Sequence, residues 1–465
     1  MTISLIVQAR SDSSRLEKKM TKTISGITLL EWVLIRSRKS KKSNQFILAT
    51  TGSQRDKELI SIGKKNRFKI FRGPEKDVLT RFYKCSKHFK SKIIIRVCAD
   101  NPLVDAGEID SLITKFKKEN LDYLYNTMQT NNNFNSDGFG AEIFSFKALA
   151  KAHKLAKNKG DREHVTRFIR NNKSLFRSKC LEPKLGLNYP YLKFDVNTSQ
   201  DLINMKKFLS KNKINKFTKA KKIVNTKICK EINKYLKILF PINRSLTGKG
   251  NLKTLEIIKK ITNIKIKKIP SEKKVYDWTI PKEWTVDEAW VKNIRTKEKI
   301  IDFEKNNLHL LNYSSNYKGI INSSKLKKKL HFHTKLKNAV PYKTSYFQKN
   351  WGFCVDQNTY KKILKSKDKF EVKIRTKFTK GNLIYGEQII PGKSKHEILI
   401  STYICHPSMA NDNLSGVILT AFLAKFINSI KNRYWTYRII FIPETIGALA
   451  YLNRNEKKMK KIKFG

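Results

Sequence analysis

Residues 4–20, SLIVQARSDSSRLEKKM, decide how the first half of the chain is read. Ile3–Val7 is a short apolar run that stops at Gln8 and reads as a buried strand. Arg10, Arg15, Lys18 and Lys19 follow, with Ser11, Ser13 and Ser14 among them, and a helical pattern opens near Thr28. Strand, basic hydroxyl-rich loop and helix in this order suit a polyphosphate, because cations and loop N–H groups then face the anion at the carboxyl end of a strand. The same text also fits a plain solvated loop.

Working outward, strand-like runs recur at Gln45–Ala49, Phe68–Phe71, Lys92–Val97, Leu121–Tyr125 and Tyr191–Val196, with helical periodicity between them. That alternation predicts an α/β domain over residues 1–211 with a mostly parallel sheet covered on both faces. No G-x-G-x-x-G follows the first strand, so the dinucleotide fingerprint is missing. Asp100 comes directly after the run ending at Val97, and Asp195 and Asn197 end the last run. A carboxylate at a strand's carboxyl end, opposite a basic loop, suits a Mg²⁺ anchor. Helix capping is the competing role for Asp100 and its neighbour Asp105. Arg72, Asp77 and Arg81 follow the third run.

Residues 212–227 turn polar and basic and read as a linker. Residues 228–465 read as a second α/β domain carrying a mainly-β insertion, 264–396, rich in Trp and Tyr. Its text ends with KKIKFG poised to start another strand, so this domain is expected to be C-terminally incomplete. His406, Asp412 and Glu444 fall just after predicted strands. Together they could be two ligands and a general base around a Zn²⁺ ion. Taken singly, each is also a loop histidine, an N-cap or a first-turn charge.

Composition bounds the rest. At 465 residues with 40% hydrophobic, the chain can bury sizeable cores. No apolar run reaches about 18 residues, so membrane insertion is not expected. No signal peptide is visible, and the six cysteines form no C-x-x-C pair, which suits a reducing, cytoplasmic setting. The net charge of +60 raises nucleic-acid binding. The lysines are spread evenly among Asn and Ile, however, whereas a nucleic-acid site concentrates charge on one face.

The first half resembles a known family. QAR-x-x-S-x-R-L-x-x-K, ATT, FRG-x-x-x-DVL-x-R, R-x-x-x-DNPL-x-D, DREHVT and D-V-x-T-x-x-DL occur in the order found in spore-coat-polysaccharide cytidylyltransferases, relatives of CMP-sialic acid and CMP-Kdo synthetases. The resemblance implies a Rossmann-like nucleotidyltransferase that moves CMP from CTP to an acidic or modified sugar. It implies Lys19 and Arg15 as catalytic groups and Arg10, Arg15, Lys19, Arg72 and Asp77 around the nucleotide. Glu142, Glu163 and His164 would lie near the sugar, and Asp100 with Asp195 or Asn197 would hold Mg²⁺. Asp12, Glu17 and Lys18 stand where the family loop has Gly, Pro and Gly.

The second half resembles the aminopeptidase-like domain of polysaccharide-biosynthesis loci, through FPINRSLTGKGNLKTL, DWTIPKEW, VPYKTSY, WGFC, STYICHPSMANDNLSG and FIPETIG. That resemblance implies Zn²⁺ on His406 and Asp412 with Glu444 as base, and Thr445 where a second glutamate is usual. Partners expected are CTP and a sugar, with a homodimer allowed. The competing functions are a metallohydrolase with a degenerate nucleotide-binding front half, and a non-enzymatic basic nucleic-acid-binding protein.

Overall fold

The computed structural model describes residues 1–465 except 13–15, 128–134 and 347. The chain divides into two compact units, Met1–Cys229 with Ser429–Lys431, and Lys230–Asn428 with Asn432–Gly465.

The first unit is built on a seven-stranded sheet. Its strands are β1 (Ile3–Gln8), β2 (Gln45–Thr51), β3 (Lys69–Gly73), β4 (Ile93–Cys98), β5 (Tyr123–Tyr125), β6 (Glu142–Ser145) and β7 (Ser178–Cys180). Their spatial order is β3-β2-β1-β4-β6-β5-β7. β1 pairs in parallel with both β2 and β4, and β2 with β3. Among the described strands of this sheet, only β6 runs against its neighbours. The central strands are apolar at nearly every position because both faces are covered. Leu5 and Val7 pack into one core, and Ile6 into the other. Helices α1 (Leu29–Ser37), α2 (Lys57–Lys65), α3 (Val78–His88), α4 (Ala106–Glu119), α5 (Phe146–Leu155) and α6 (Ser199–Lys211) supply the covering layers.

Two expectations here need correction. Tyr191–Val196 is not a strand. It is an extended segment held by the backbone bonds Phe194 N–H to Asp137 O and Val196 N–H to Asp100 O. Its apolar residues are buried against those loops rather than in a ladder, so periodicity alone misreads it. The proposed linker is also partly helix: α7 (Ala220–Leu239) begins inside it, and Ile223 and Val224 are buried in the first unit's core. The abundant lysines of this stretch hide its apolar stripe from a composition reading.

The second unit has a five-stranded sheet of order β8-β13-β15-β14-β16. These strands are β8 (Lys265–Pro270), β13 (Asn382–Ile390), β14 (Glu397–Tyr403), β15 (Thr436–Ile442) and β16 (Ile462–Phe464). A separate four-stranded antiparallel sheet, β10-β9-β12-β11, comprises β9 (Glu283–Asn293), β10 (Lys299–Asp302), β11 (Tyr317–Asn322) and β12 (Lys369–Thr379). The mainly-β character expected for 264–396 is therefore split. Its outer strands β8 and β13 join the α/β sheet, and only the interior forms a sheet of its own. Pairing, not composition, decides that membership. Helices α8 (Lys249–Ile258), α9 (Ser415–Ser429) and α10 (Ile446–Met459) are among the helices of this unit. Among the described residues no helix is long and apolar enough to cross a membrane.

Candidate functional sites

The opening loop of the first unit is held in place from the neighbouring strand. Asp56 is buried and accepts hydrogen bonds from Thr50 Oγ1 (2.6 Å), Thr51 N (3.0 Å), Thr51 Oγ1 (2.6 Å) and Ser11 N (2.8 Å). Burial alone would raise its carboxyl, but these donors bring it down to about 2. The ATT run thus serves the structure, since its hydroxyls and Asp56 fasten Ser11 at the mouth of the loop.

Further along the loop Lys18 adopts φ 49°, in the left-handed region that glycine enters freely. This bend turns Lys19 inward, 8% exposed, where Nζ donates to Val196 O at 3.0 Å and lies 3.6 Å from Asp100 Oδ2. Lys19, Asp100, Arg10, Arg96, His164 and Asn197 line one cavity of about 250 Å³ at the carboxyl ends of β1 and β4. Arg15 lies outside the described residues.

Two further carboxylates, Asp195 and Asp137, lie near enough to Asp100 to interact with it electrostatically but do not line the cavity. Asp195 accepts from the Asn197 side-chain amide, so Asn197 braces that carboxylate. Asp137 joins it without any signal in the local sequence pattern. Gly138 (φ +96°) lies so close to Phe194 that a Cβ would be 2.8 Å from its carbonyl carbon, and this approach sets Asp137 beside Asp195. Burial raises the carboxyls of both Asp137 and Asp195, and each is raised further by neighbouring acids, Asp100 among them. Carboxylates that repel one another in a buried place suit a hard divalent cation. Asp137 sits in NSDGFG, with a glycine directly after it and no strand before it to draw notice.

The remaining predicted residues separate. Glu142 is 1% exposed and does not line the cavity: its oxygens take Arg96, the Tyr123 hydroxyl (2.5 Å) and Thr166 Oγ1 (2.6 Å). Burial pushes its carboxyl up, but Arg96 and the two hydroxyl donors together outweigh that and hold it below the usual range. Glu142 therefore holds Arg96, whose Nε also reaches Gln8 Oε1 at 3.2 Å. His164 does line the cavity and, like Glu163 beside it, is exposed; partial desolvation with the nearby Arg96 charge lowers its imidazole. Asp77 caps α3 through Thr80 N (2.9 Å) and pairs with Arg162 at 2.6 Å, tying α3 to the short helix that ends at Glu163. Its carboxylate is spent on that tie. Arg72 is exposed, donates to Thr51 O and Gly52 O, and is not on the cavity wall.

In the second unit, β14 and β15 run parallel and deliver their following loops to one place. His406 is 8% exposed, with Nδ1 3.5 Å from Asp412 Oδ1 and Nε2 3.3 Å from Glu444 Oε2. Its Nδ1 is buried without a hydrogen-bond partner. Cys405, His406 and Glu444 bring their donor atoms within 4.8 Å of one another. The Tyr403 hydroxyl donates to Asp412, which pushes that phenol up to about 12, and the rings of Tyr342 and Tyr403 stand edge-on to His406. Beneath the loop, Arg244 is 2% exposed and donates to His406 O (2.8 Å) and Leu239 O (2.7 Å). An orphaned imidazole nitrogen between carboxylates, with a thiol alongside, is a donor set that fits a divalent metal. Trp284, in the aromatic stretch, is buried and stacks on Tyr313 at 5.4 Å, as core.

Comparison with known proteins covers both units. Residues 4–245 match the cytidylyltransferase family and residues 233–465 match a domain of unknown function, DUF4910. A putative polysaccharide biosynthesis protein with aminopeptidase-like domain from Clostridium acetobutylicum is 46% identical over 235 residues, 50% of this chain and 53% of that protein. The chain thus spans about half the length of that relative. An uncharacterised protein of Methanocaldococcus jannaschii is 38% identical over 201 residues, 43% of this chain and 80% of its own. The spore coat polysaccharide biosynthesis protein SpsF of Bacillus subtilis is 30% identical over 215 residues, 45% of this chain and 87% of its own. The chain therefore belongs to the cytidylyltransferase family through residues 4–245, and through residues 233–465 to the DUF4910 family.

Proposed function

We propose that the first unit transfers a cytidylyl group from CTP to a hydroxyl of an acidic or modified sugar, releasing pyrophosphate, for the synthesis of a surface polysaccharide. The observation that carries this reading is the Lys19–Asp100 ion pair, 3.6 Å, on the wall of one cavity. The names of the relatives, a polysaccharide biosynthesis protein and SpsF, point the same way.

Such a transfer needs positioning and charge neutralisation more than covalent help. Lys19 and Arg10 meet the triphosphate and offset charge that builds as pyrophosphate leaves. Asp100 and Asp195 would hold Mg²⁺, with Asp137 close behind them. Bound there, Mg²⁺ neutralises phosphate oxygens and aligns them for in-line attack. Arg96, steadied by Glu142, and His164 form the far wall, where the sugar would lie. A neutral His164 can take the proton of the attacking hydroxyl.

The test is pyrophosphate release from CTP and a panel of acidic sugars, with Mg²⁺. Asp100→Ala and Lys19→Ala should each lower turnover by about 10²–10³. Because Lys19 is buried and bonded, Lys19→Ala should also cost about 2 kcal/mol of stability. Full turnover in both folded variants would overturn the assignment.

For the second unit, the grouping of Cys405, His406 and Glu444, with Asp412 at the orphaned Nδ1 of His406, favours a metal-dependent hydrolase. When bound, the metal, Zn²⁺ in this reading, supplies Lewis acidity. Glu444, half exposed at the loop, is the group able to move a proton.

A further inference from the structure

We infer that the second unit carries a saccharide-binding pocket where the segment leading into β11, the end of β12 and residues 345–349 meet. It is a cavity of about 550 Å³, in the size range of small-molecule sites, and none of its described lining residues belongs to the His406 group. Binding there needs no metal.

The apolar part of the pocket is a cup of tilted rings. Tyr313, 4% exposed, forms its floor and stacks on Trp284 at 5.4 Å. The Tyr346 ring stands at 88° to Tyr313 and the Phe378 ring at 57°, and Phe378 is 44% exposed. A flat base stacks best in a slot between parallel faces, and these rings make none. A puckered pyranose presents C–H groups on its faces and edges, and these pack on tilted aromatic rings. The floor is set in advance. Tyr313 has φ 67°, a left-handed backbone that a bulky residue enters only at a cost. Asn312 before it holds the bend, donating from N to Lys343 O and accepting from Ser345 N, each at 2.9 Å. A wall fixed before the ligand arrives loses little entropy on binding.

The polar part mixes donors with acceptors. Asn316 Oδ1 accepts from Thr376 N (2.5 Å) and Thr376 Oγ1 (3.3 Å), which fixes the amide and leaves its NH₂ group to donate. Ser315 Oγ donates to Asn350 O (3.1 Å) and Ser345 Oγ to Asn312 O (3.4 Å), so both hydroxyls keep lone pairs to offer. Gln348 adds an exposed amide. Sugar hydroxyls both donate and accept, so a polyhydroxylated ring uses this mixture while covering aromatic carbon. An apolar ligand would bury the same groups unpaired. Lys349 is the one charged side chain on the wall among the described residues, too little for a polyphosphate but suited to a sugar carboxylate.

Saturation-transfer NMR on the full chain tests this, with a neutral, an N-acetylated and a carboxylated methyl pyranoside as probes. Wild type should transfer saturation to ring C–H protons, most strongly in the carboxylated probe. Phe378→Ala should weaken binding about tenfold. Asn316→Asp keeps the acceptor for Thr376 and removes the donor, and should weaken it about as much. Both side chains are exposed, and either variant that folds by circular dichroism decides. His164→Ala, altered at the wall proposed for the sugar of the first unit, should keep the signal. No transfer to any probe in wild type would overturn the pocket, as would transfer unchanged in folded Phe378→Ala and Asn316→Asp. Transfer lost in His164→Ala alone would overturn it too, by placing the sugar in the first unit.

Discussion

Lys19 and Lys18 are neighbours in a chain crowded with lysine, yet one is buried against Val196 and Asp100 while the other is exposed. The difference comes from a backbone bend at Lys18, not from residue type. Asp56 acts at the same scale. It touches no part of the cavity wall, but it collects four donors, Ser11 of the loop among them. Its carboxyl stands at about 2 against 3.8 unfolded, so its contribution to stability is full above pH about 4 and fades as pH falls through about 2. Urea unfolding should therefore show wild type clearly more stable than Asp56→Asn at neutral pH. That gap should shrink toward pH 2. A gap independent of pH would mean the donors matter only by shape.

At the scale of elements, the five-stranded sheet of the second unit carries a buried ion network. Arg438 on β15 pairs with Glu387 on β13 at 2.6 Å and with Glu397 on β14, and Tyr451 of α10 donates to Glu387 at 2.5 Å. All three ionic groups are at most 5% exposed. Removing the cation leaves Glu397 buried without its partner, while Glu387 keeps Lys267 and the Tyr451 hydroxyl, so Arg438→Met should cost about 3 kcal/mol in denaturant unfolding. A loss below about 1 kcal/mol would show that water reaches the carboxylates. The same network explains how β13, read from sequence as part of the β insertion, is bound into the α/β sheet: Glu387 faces Arg438 across it. Nothing in a local window reveals a partner 51 residues away in the chain, which is why sequence pattern alone misassigns the insertion's outer strands.

At the scale of the molecule, the net charge of +60 gives the cavity proposed for CTP a positive surrounding field. Such a field raises the local concentration of CTP and is screened by salt. Raising ionic strength from about 0.05 to about 0.3 M should lift KM for CTP several-fold and leave kcat little changed. Steady-state kinetics checks this. A flat KM would confine recognition to direct contacts.

The residues alone were enough for the α/β alternation, the basic loop after β1, Asp100 beyond β4, and the grouping of His406, Asp412 and Glu444 after strands, because period and punctuation are local properties. The tertiary structure decided what depends on contacts between distant segments: Asp137 beside Asp195, Glu142 and Asp77 withdrawn into support, and Cys405 beside Glu444. A burial partner far along the chain leaves no mark on the local pattern, so only folding could reveal which of these side chains face a cavity and which hold the others in place.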